Sequence, residues 1–327
     1  MSRLMTGLGL LVALLFIGSL VVGYAPVGPI DSLRALIAGD GGPVTMVMRE
    51  IRLPRALLAL FIGAGLGLAG AAMQGYLRNP LAEPGLIGVS ASAALGAVIA
   101  INTGLVAMGT LGLPVAALAG AVIGVGLIMA LAAPNGDTLT LILAGIAISA
   151  MASALTSLVL NLSPNPFAAN EIVFWMMGSL ADRSMVHLWL FLPFGLVGAG
   201  LLLGLGRGLD ALTLGEDAAR TMGIRLGRMR LLLVLGTASL VGAATAVAGA
   251  IGFIGLVVPH ILRPWVGSQP SRLLTASALG GAAMLLAADI AVRLILPDRD
   301  LKLGVVTALV GAPLFLHLIY KTRRDNG

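Results

Sequence analysis

The 327-residue chain contains no cysteine, so disulfides and thiolate metal sites are excluded. Charge is nearly as scarce: 10% of residues are Asp, Glu, Lys or Arg, 58% are hydrophobic, and the mean hydropathy is +1.04. No soluble single-core domain needs or tolerates such a balance, so the chain reads as an all-α, polytopic membrane protein forming one domain over residues 1–327. Catalytic motifs are missing as well. There is no GxxxxGK[ST], no HExxH and no nucleophile–base pairing, so no catalytic residue is assigned and the chain hydrolyses no ATP by itself. His187, His260 and His317 fall in separate spans or span ends without a carboxylate cluster, and no metal ligand is assigned to them. Asp289 is the one acid placed clearly inside a span, which leaves little for an ion-coupled carrier to load and unload.

Glycine, in contrast, is abundant. Forty-five glycines beside 4% aromatics indicate helices that approach closely, because lipid supplies no hydrophobic drive between spans. Gly63 with Gly67, Gly120 with Gly124, and Gly200 with Gly204 give small faces suited to internal packing seams. At about 20 apolar residues per crossing, spans are expected near 4–23, 56–76, 86–107, 113–133, 139–160, 187–206, 231–249, 251–265, 273–293 and 304–320. Residues 1–22 carry an apolar run after Arg3 but no small-residue cleavage site, and are read as the first span rather than a signal peptide. The apolar run 231–262 is too long for one span and short for two. Basic residues near both ends, Arg3 and Lys321, Arg323 and Arg324, favour two spans and a total of ten, with both termini cytoplasmic. This topology puts twelve of the twenty basic residues on the inner side, and the pI near 10.7 reflects this bias more than any affinity for nucleic acid.

Within this apolar chain lies a polar island, residues 207–230. Thr213 and Glu216 have the spacing of a capping box, Glu216 and Asp217 suit a helix N-terminus, Arg220 the last turn and Gly223 the close. A short amphipathic piece over 224–229 follows. Between two spans, such a charged helical hairpin is either a solvated connector or a surface made for a soluble partner. The stretch 74–85 (QGYLRNPLAEPG) reads as a tight cytoplasmic turn with Leu81 at its tip, and 134–140 carries Asp137 and Thr138 on the same side. Two such turns narrow the inner mouth of a pathway or are plain connectors. On the outer side, 24–50 holds a short amphipathic helix over 30–38, and 161–182 holds a Trp175–Gly178 stretch suited to the membrane surface. Asp289 and Arg293 share one helical face, as a functional or a structural pair.

Several runs together carry a family likeness: RLPRALLALFIGAGLGLAGAAMQGYLRNPLAEPGLIGVSASAALGA, LTLILAGIAISA, FWMMGSL, LTLGEDAARTMGI, AGAIGFIGLVVPHILR, AADIAVR and LGVVTALVGAP. In this order, over nearly the whole chain, they resemble the FecCD-type permeases of bacterial ABC importers, and two of them resemble the cobalamin branch in particular. The resemblance implies a type II importer fold in the bacterial inner membrane and a cargo of ferric siderophore, haem or cobalamin. It implies a homodimer with two ATPase subunits and a periplasmic binding protein, ATP and Mg being held by the ATPase and no cofactor by this chain. By residue, it implies coupling to the ATPase through Leu214, Gly215, Glu216, Ala219, Arg220 and Gly223. It implies binding-protein docking at Arg52, Arg55 and Arg293, and a cytoplasmic gate at Asn79, Leu81 and Thr138. Ala250 replaces a usual proline, Asp137 stands where a small hydroxyl residue is common, and Asp300-Leu301-Lys302 departs from the usual acidic–x–Pro.

Overall fold

The computed structural model describes residues 2–23, 25, 27–38, 41–105, 109, 111–132, 138–295 and 301–325, and among these it is helical with no strand. The order is α1 (Ser2–Val21), α2 (Pro29–Ala38), α3 (Pro43–Met46), a π-helical turn (Val47–Arg52), α4 (Leu53–Leu77), a 3₁₀ turn (Pro84–Ile87), α5 (Val89–Asn102), α6 (Gly112–Leu131) and α7 (Thr138–Asn161). There follow α8 (Pro166–Met176), α9 (Met185–Leu203), α10 (Gly206–Leu212), α11 (Glu216–Thr221), α12 (Leu226–Ala248), α13 (Ile254–Leu262), α14 (Pro270–Ile295) and α15 (Leu303–Asp325). Seven of the described helices are long and apolar enough to cross a membrane. With the shorter α5 and α13 and the apolar part of α15 (Leu303–Leu316), each of the ten expected spans has its helix.

α4 is the axis of the bundle. Nineteen of its 25 residues are buried, and it packs most extensively on α14. The reason is glycine: a Cβ on Gly63 would strike the carbonyl oxygen of Gly281, and one on Gly67 that of Ser277, so the two backbones touch where side chains would hold them apart. Gly120 likewise lies against Ser92 and Gly96, joining α5 to α6. The expected seam at Gly200 does not form, since nothing lies within 4 Å of a Cβ built there. With no neighbouring helix opposite it, small size alone creates no contact.

Two elements fall short of a full crossing. α13 has nine residues, about 13 Å of rise against a hydrocarbon core of about 30 Å. It is separated from α12 by an irregular break, in which Gly249 (φ +73°) and Phe253 (φ +67°) take left-handed backbone conformations. α5 has 14 residues because the chain before it does not stay outside the membrane. The 3₁₀ turn Pro84–Ile87 and Gly88 pack against Gly145 and Ser149 of α7, a Cβ on Gly88 lying 3.1 Å from Ser149 Oγ. A Cβ on Gly255 would sit 2.7 Å from Pro84 Cδ and 3.0 Å from the Leu66 carbonyl oxygen. Leu66 lies eleven residues before the end of α4 and Gly145 seven after the start of α7. At 1.5 Å per residue the turn therefore reaches about 10–16 Å into the bundle. Residues 79–88 form a re-entrant segment in place of the expected surface turn.

Candidate functional site

The connection 206–230, expected on the inner side, folds as a hairpin of two short helices. Asp210 of α10 anchors it: its carboxylate accepts the Ser271 backbone N–H (2.8 Å) and Gln269 Nε2–H (3.1 Å) at the start of α14. Partial burial pushes the Asp210 carboxyl up, but the Ser271 and Gln269 hydrogen bonds and the charge of Arg272 outweigh it and hold it below its ordinary value. The expected capping box is not made. Thr213 Oγ1 instead donates to the Asp210 carbonyl (2.7 Å), closing α10, and Gly215 at φ +105° turns the chain so that α11 starts at Glu216 with no side-chain cap. A residue with a Cβ is strained at that φ, and glycine is not. Within α11, Arg220 reaches Glu216 (3.4 Å) and Asp217 (3.5 Å), Ala219 is fully buried, and Gly223 (φ +83°) ends the turn. These surface pairs are each worth about 0–1 kcal/mol. More telling is what stays uncovered: Leu214 is 70% and Met222 62% exposed, apolar side chains on an otherwise polar hairpin.

At the start of the re-entrant segment, Arg78 (φ +48°) caps α4, and Asn79 Oδ1 accepts the Leu81 N–H (2.9 Å), which fixes the turn. Asn79 is exposed and Leu81 partly buried. Thr138 is the first residue of α7; its side chain, and the expected loop partner Asp137, lie outside the described residues. Behind the turn, Gln74 donates from Nε2 to the Leu256 carbonyl (3.1 Å), and its Oε1 accepts from Arg263 (2.7 Å), tying α4 to both ends of α13. Deeper still, Glu83 Oε1 accepts the Phe253 N–H (3.1 Å) at the break before α13. Of these residues Glu83 lines a cavity of about 410 Å³ between α4, α7, α12 and the break. The sequence alone places Glu83 in a surface turn, because no feature of NPLAEPG distinguishes a re-entrant turn from an exposed one.

The three outer arginines are gathered into one cluster, and it is buried. Arg55 Nε and Arg293 Nη2 each lie 2.8 Å from a different oxygen of Asp289, which is fully buried. Arg293 also donates to the carbonyls of Ser19 and Val22, and Arg52 to those of Leu20, Val21 and Ala25. The last carbonyls of α1 have no partner within their helix, and the two guanidiniums supply donors to them. Arg52, Arg55 and Arg293, the residues expected to dock a binding protein, are 3%, 8% and 5% exposed. Their donors are used to fasten α1, α4 and α14 together. Among the described residues, the accessible charges near this cluster include Asp31, Arg34, Arg49 and Glu50. His187 Nδ1 accepts the Ser184 N–H (3.2 Å), a local structural bond, and no cluster of metal-ligating side chains occurs among the described residues.

An all-helical bundle with seven candidate spans among the described residues, a broken helix, a re-entrant turn and one polar hairpin defines a multi-pass membrane permease. The FecCD transport family model matches residues 10–321, and the chain belongs to that family. It is 39% identical over 322 residues to the vitamin B12 import system permease protein BtuC of Salmonella typhi, covering 98% of this chain and 96% of that one. It is also 39% identical over 295 residues to the ABC transporter permease YvrB of Bacillus subtilis, covering 89% of this chain and 83% of the relative. A solved structure described as an inward-facing metal-chelate type ABC transporter superposes with a TM-score of 0.87 at 35% identity, over 98% of this chain and all of that one.

Proposed function

We propose that the chain is the membrane subunit of a binding-protein-dependent importer that carries a bulky chelate, either an iron chelate (ferric siderophore or haem) or cobalamin, across the bacterial inner membrane. It works as a homodimer on two ATPase subunits, which bind ATP and Mg, and it has no ATPase site of its own. Both termini face the cytoplasm. The observation that carries the reading is the hairpin: Leu214 and Met222 stand exposed on a charged, Asp210-anchored element between two spans. Leu214, Gly215, Glu216, Ala219, Arg220 and Gly223 shape the element that an ATPase cleft grips. Asn79 and Leu81, with Thr138, close the inner mouth. A loaded binding protein docks on the outer face, where Arg34, Arg49 and Glu50 contribute orientation and association rate more than affinity. Arg52, Arg55 and Arg293 brace that face from beneath.

The depth of Glu83 favours one alternative, an ion-coupled carrier, because a carboxylate inside a membrane can bind and release protons. Asp289 serves that role poorly, since both its oxygens are held by arginines. One experiment separates the readings: proteoliposomes holding the chain, its ATPase and its binding protein, assayed for uptake of ferric siderophore, haem and cobalamin. The importer takes up one chelate class only with internal ATP, and a protonophore changes the rate less than about 2-fold. Uptake that needs no ATPase and collapses with the protonophore establishes the carrier instead.

A further inference from the structure

Glu83 differs from every other acid in the described chain. It sits on a re-entrant turn about 10–16 Å from the inner end of the bundle. One carboxylate oxygen is held by the Phe253 N–H, and this is the only hydrogen bond the side chain makes among the described residues. No ion pair among them neutralises it, whereas Asp289 at the outer end has two arginines. It lines the 410 Å³ cavity together with Ser90, Ser149, Leu66, Ala250 and Gly252, and no Lys or Arg lines that cavity. A carboxylate in such surroundings is costly unless something positive or hydrogen-donating meets it. The Phe253 amide at the head of α13 supplies one donor and fixes the side chain's direction. The second oxygen is left with acceptor capacity and no donor from the described chain.

We propose that Glu83 is a cargo-binding residue of the membrane cavity, and that the group it receives is a cation or a hydrogen-bond donor such as an amide N–H, an amine or a hydroxyl. The site selects for cargo whose periphery carries such groups and against cargo with peripheral carboxylates, which the unpaired charge repels. The Phe253 bond holds the carboxylate against the break before α13, so cargo contact is made on a residue that joins the re-entrant turn to the broken helix. This rests on the importer reading for the identity of the cargo, but not for the charge of the cavity.

The absence of native cysteine gives the test a clean background. Ser90→Cys is introduced alone and together with Glu83→Gln; Gln keeps an oxygen acceptor for the Phe253 N–H and removes the charge. The full chain in inverted membrane vesicles is then treated with a cationic and an anionic methanethiosulfonate of similar size. Relative to a free thiol, the thiol introduced by Ser90→Cys reacts about tenfold faster with the cation than with the anion, and Glu83→Gln brings the preference to within about 2-fold of the free-thiol ratio. A preference that Glu83→Gln leaves intact, or an introduced thiol that neither reagent reaches, overturns the proposal. In cells carrying the whole importer, Glu83→Gln lowers uptake of the native cargo at least about tenfold while the complex still assembles; tenfold corresponds to about 1.4 kcal/mol. Wild-type uptake in that variant also overturns it. A wild-type importer that moves no chelate sinks the functional reading alone, and the thiol preference is still read on its own.

Discussion

At the residue scale, buried charge decides most. Asp289 takes two guanidiniums and is itself fully buried, so removing its charge leaves Arg55 and Arg293 in a low-dielectric site without a counter-ion, Arg293 keeping its bonds to Ser19 and Val22. Deleting one member of a buried pair typically costs about 3–5 kcal/mol. Asp289→Asn is therefore expected to lose stability by about that amount, read as a lower thermal midpoint of the detergent-solubilised chain. A midpoint equal to wild type contradicts the buried cluster. The sequence shows the Asp289–Arg293 spacing, four residues on one helix face. It does not show that Arg55, 234 residues away, shares the same carboxylate, or that the carbonyls of α1 occupy the rest of the donors. An arginine near a span end reads the same whether it faces water or a neighbouring helix end.

At the scale of elements, the hairpin and the re-entrant turn show where local pattern is informative. The hairpin is legible, because charge survives between two spans only where lipid does not reach, and Glu216, Arg220 and Gly223 lie where a short helix needs them. Its cap is not: Thr213 has a closer acceptor in the Asp210 carbonyl, and that choice depends on the turn at Gly215. The turn at 79–88 is legible as a turn and not in depth, since depth is set by Pro84 against Gly255 and Gly88 against Ser149. The same applies to 251–265, whose apolar composition suits a span but which the break at 249–253 shortens to a nine-residue helix. The hairpin's anchor has a defined pH dependence. With its folded value below the ordinary 3.8, Asp210 contributes stability that is complete above the unfolded value and is lost as pH falls through the folded one. Protease sensitivity of 207–230 should stay flat between about pH 8 and 5 and rise only below about pH 4. A rise near pH 6 would point to a different anchor.

At the scale of the whole molecule, the bundle is held by close backbone contact along α4 and α14 and by the buried arginine–Asp289 cluster at one end, while its other half carries the interrupted elements. The cluster keeps the adjoining ends of α1, α4 and α14 together. The break before α13, the re-entrant turn and the hairpin are joined to the frame by a few polar contacts, Gln74–Arg263, Glu83–Phe253 and Asp210–Ser271. Motion imposed on the hairpin therefore has a short path to the inner mouth. The central claim is that residues 207–230 lie inside the cell and seat an ATP-hydrolysing partner. Site-specific crosslinking from single cysteines in this cysteine-free chain measures it directly. Leu214→Cys, at the exposed hairpin, is expected to yield a covalent adduct with the ATPase subunit, and Ile37→Cys, on the outer helix α2, to yield none. An adduct from Ile37→Cys with none from Leu214→Cys, or labelling of the Leu214→Cys variant by impermeant reagent from outside intact cells, contradicts the account.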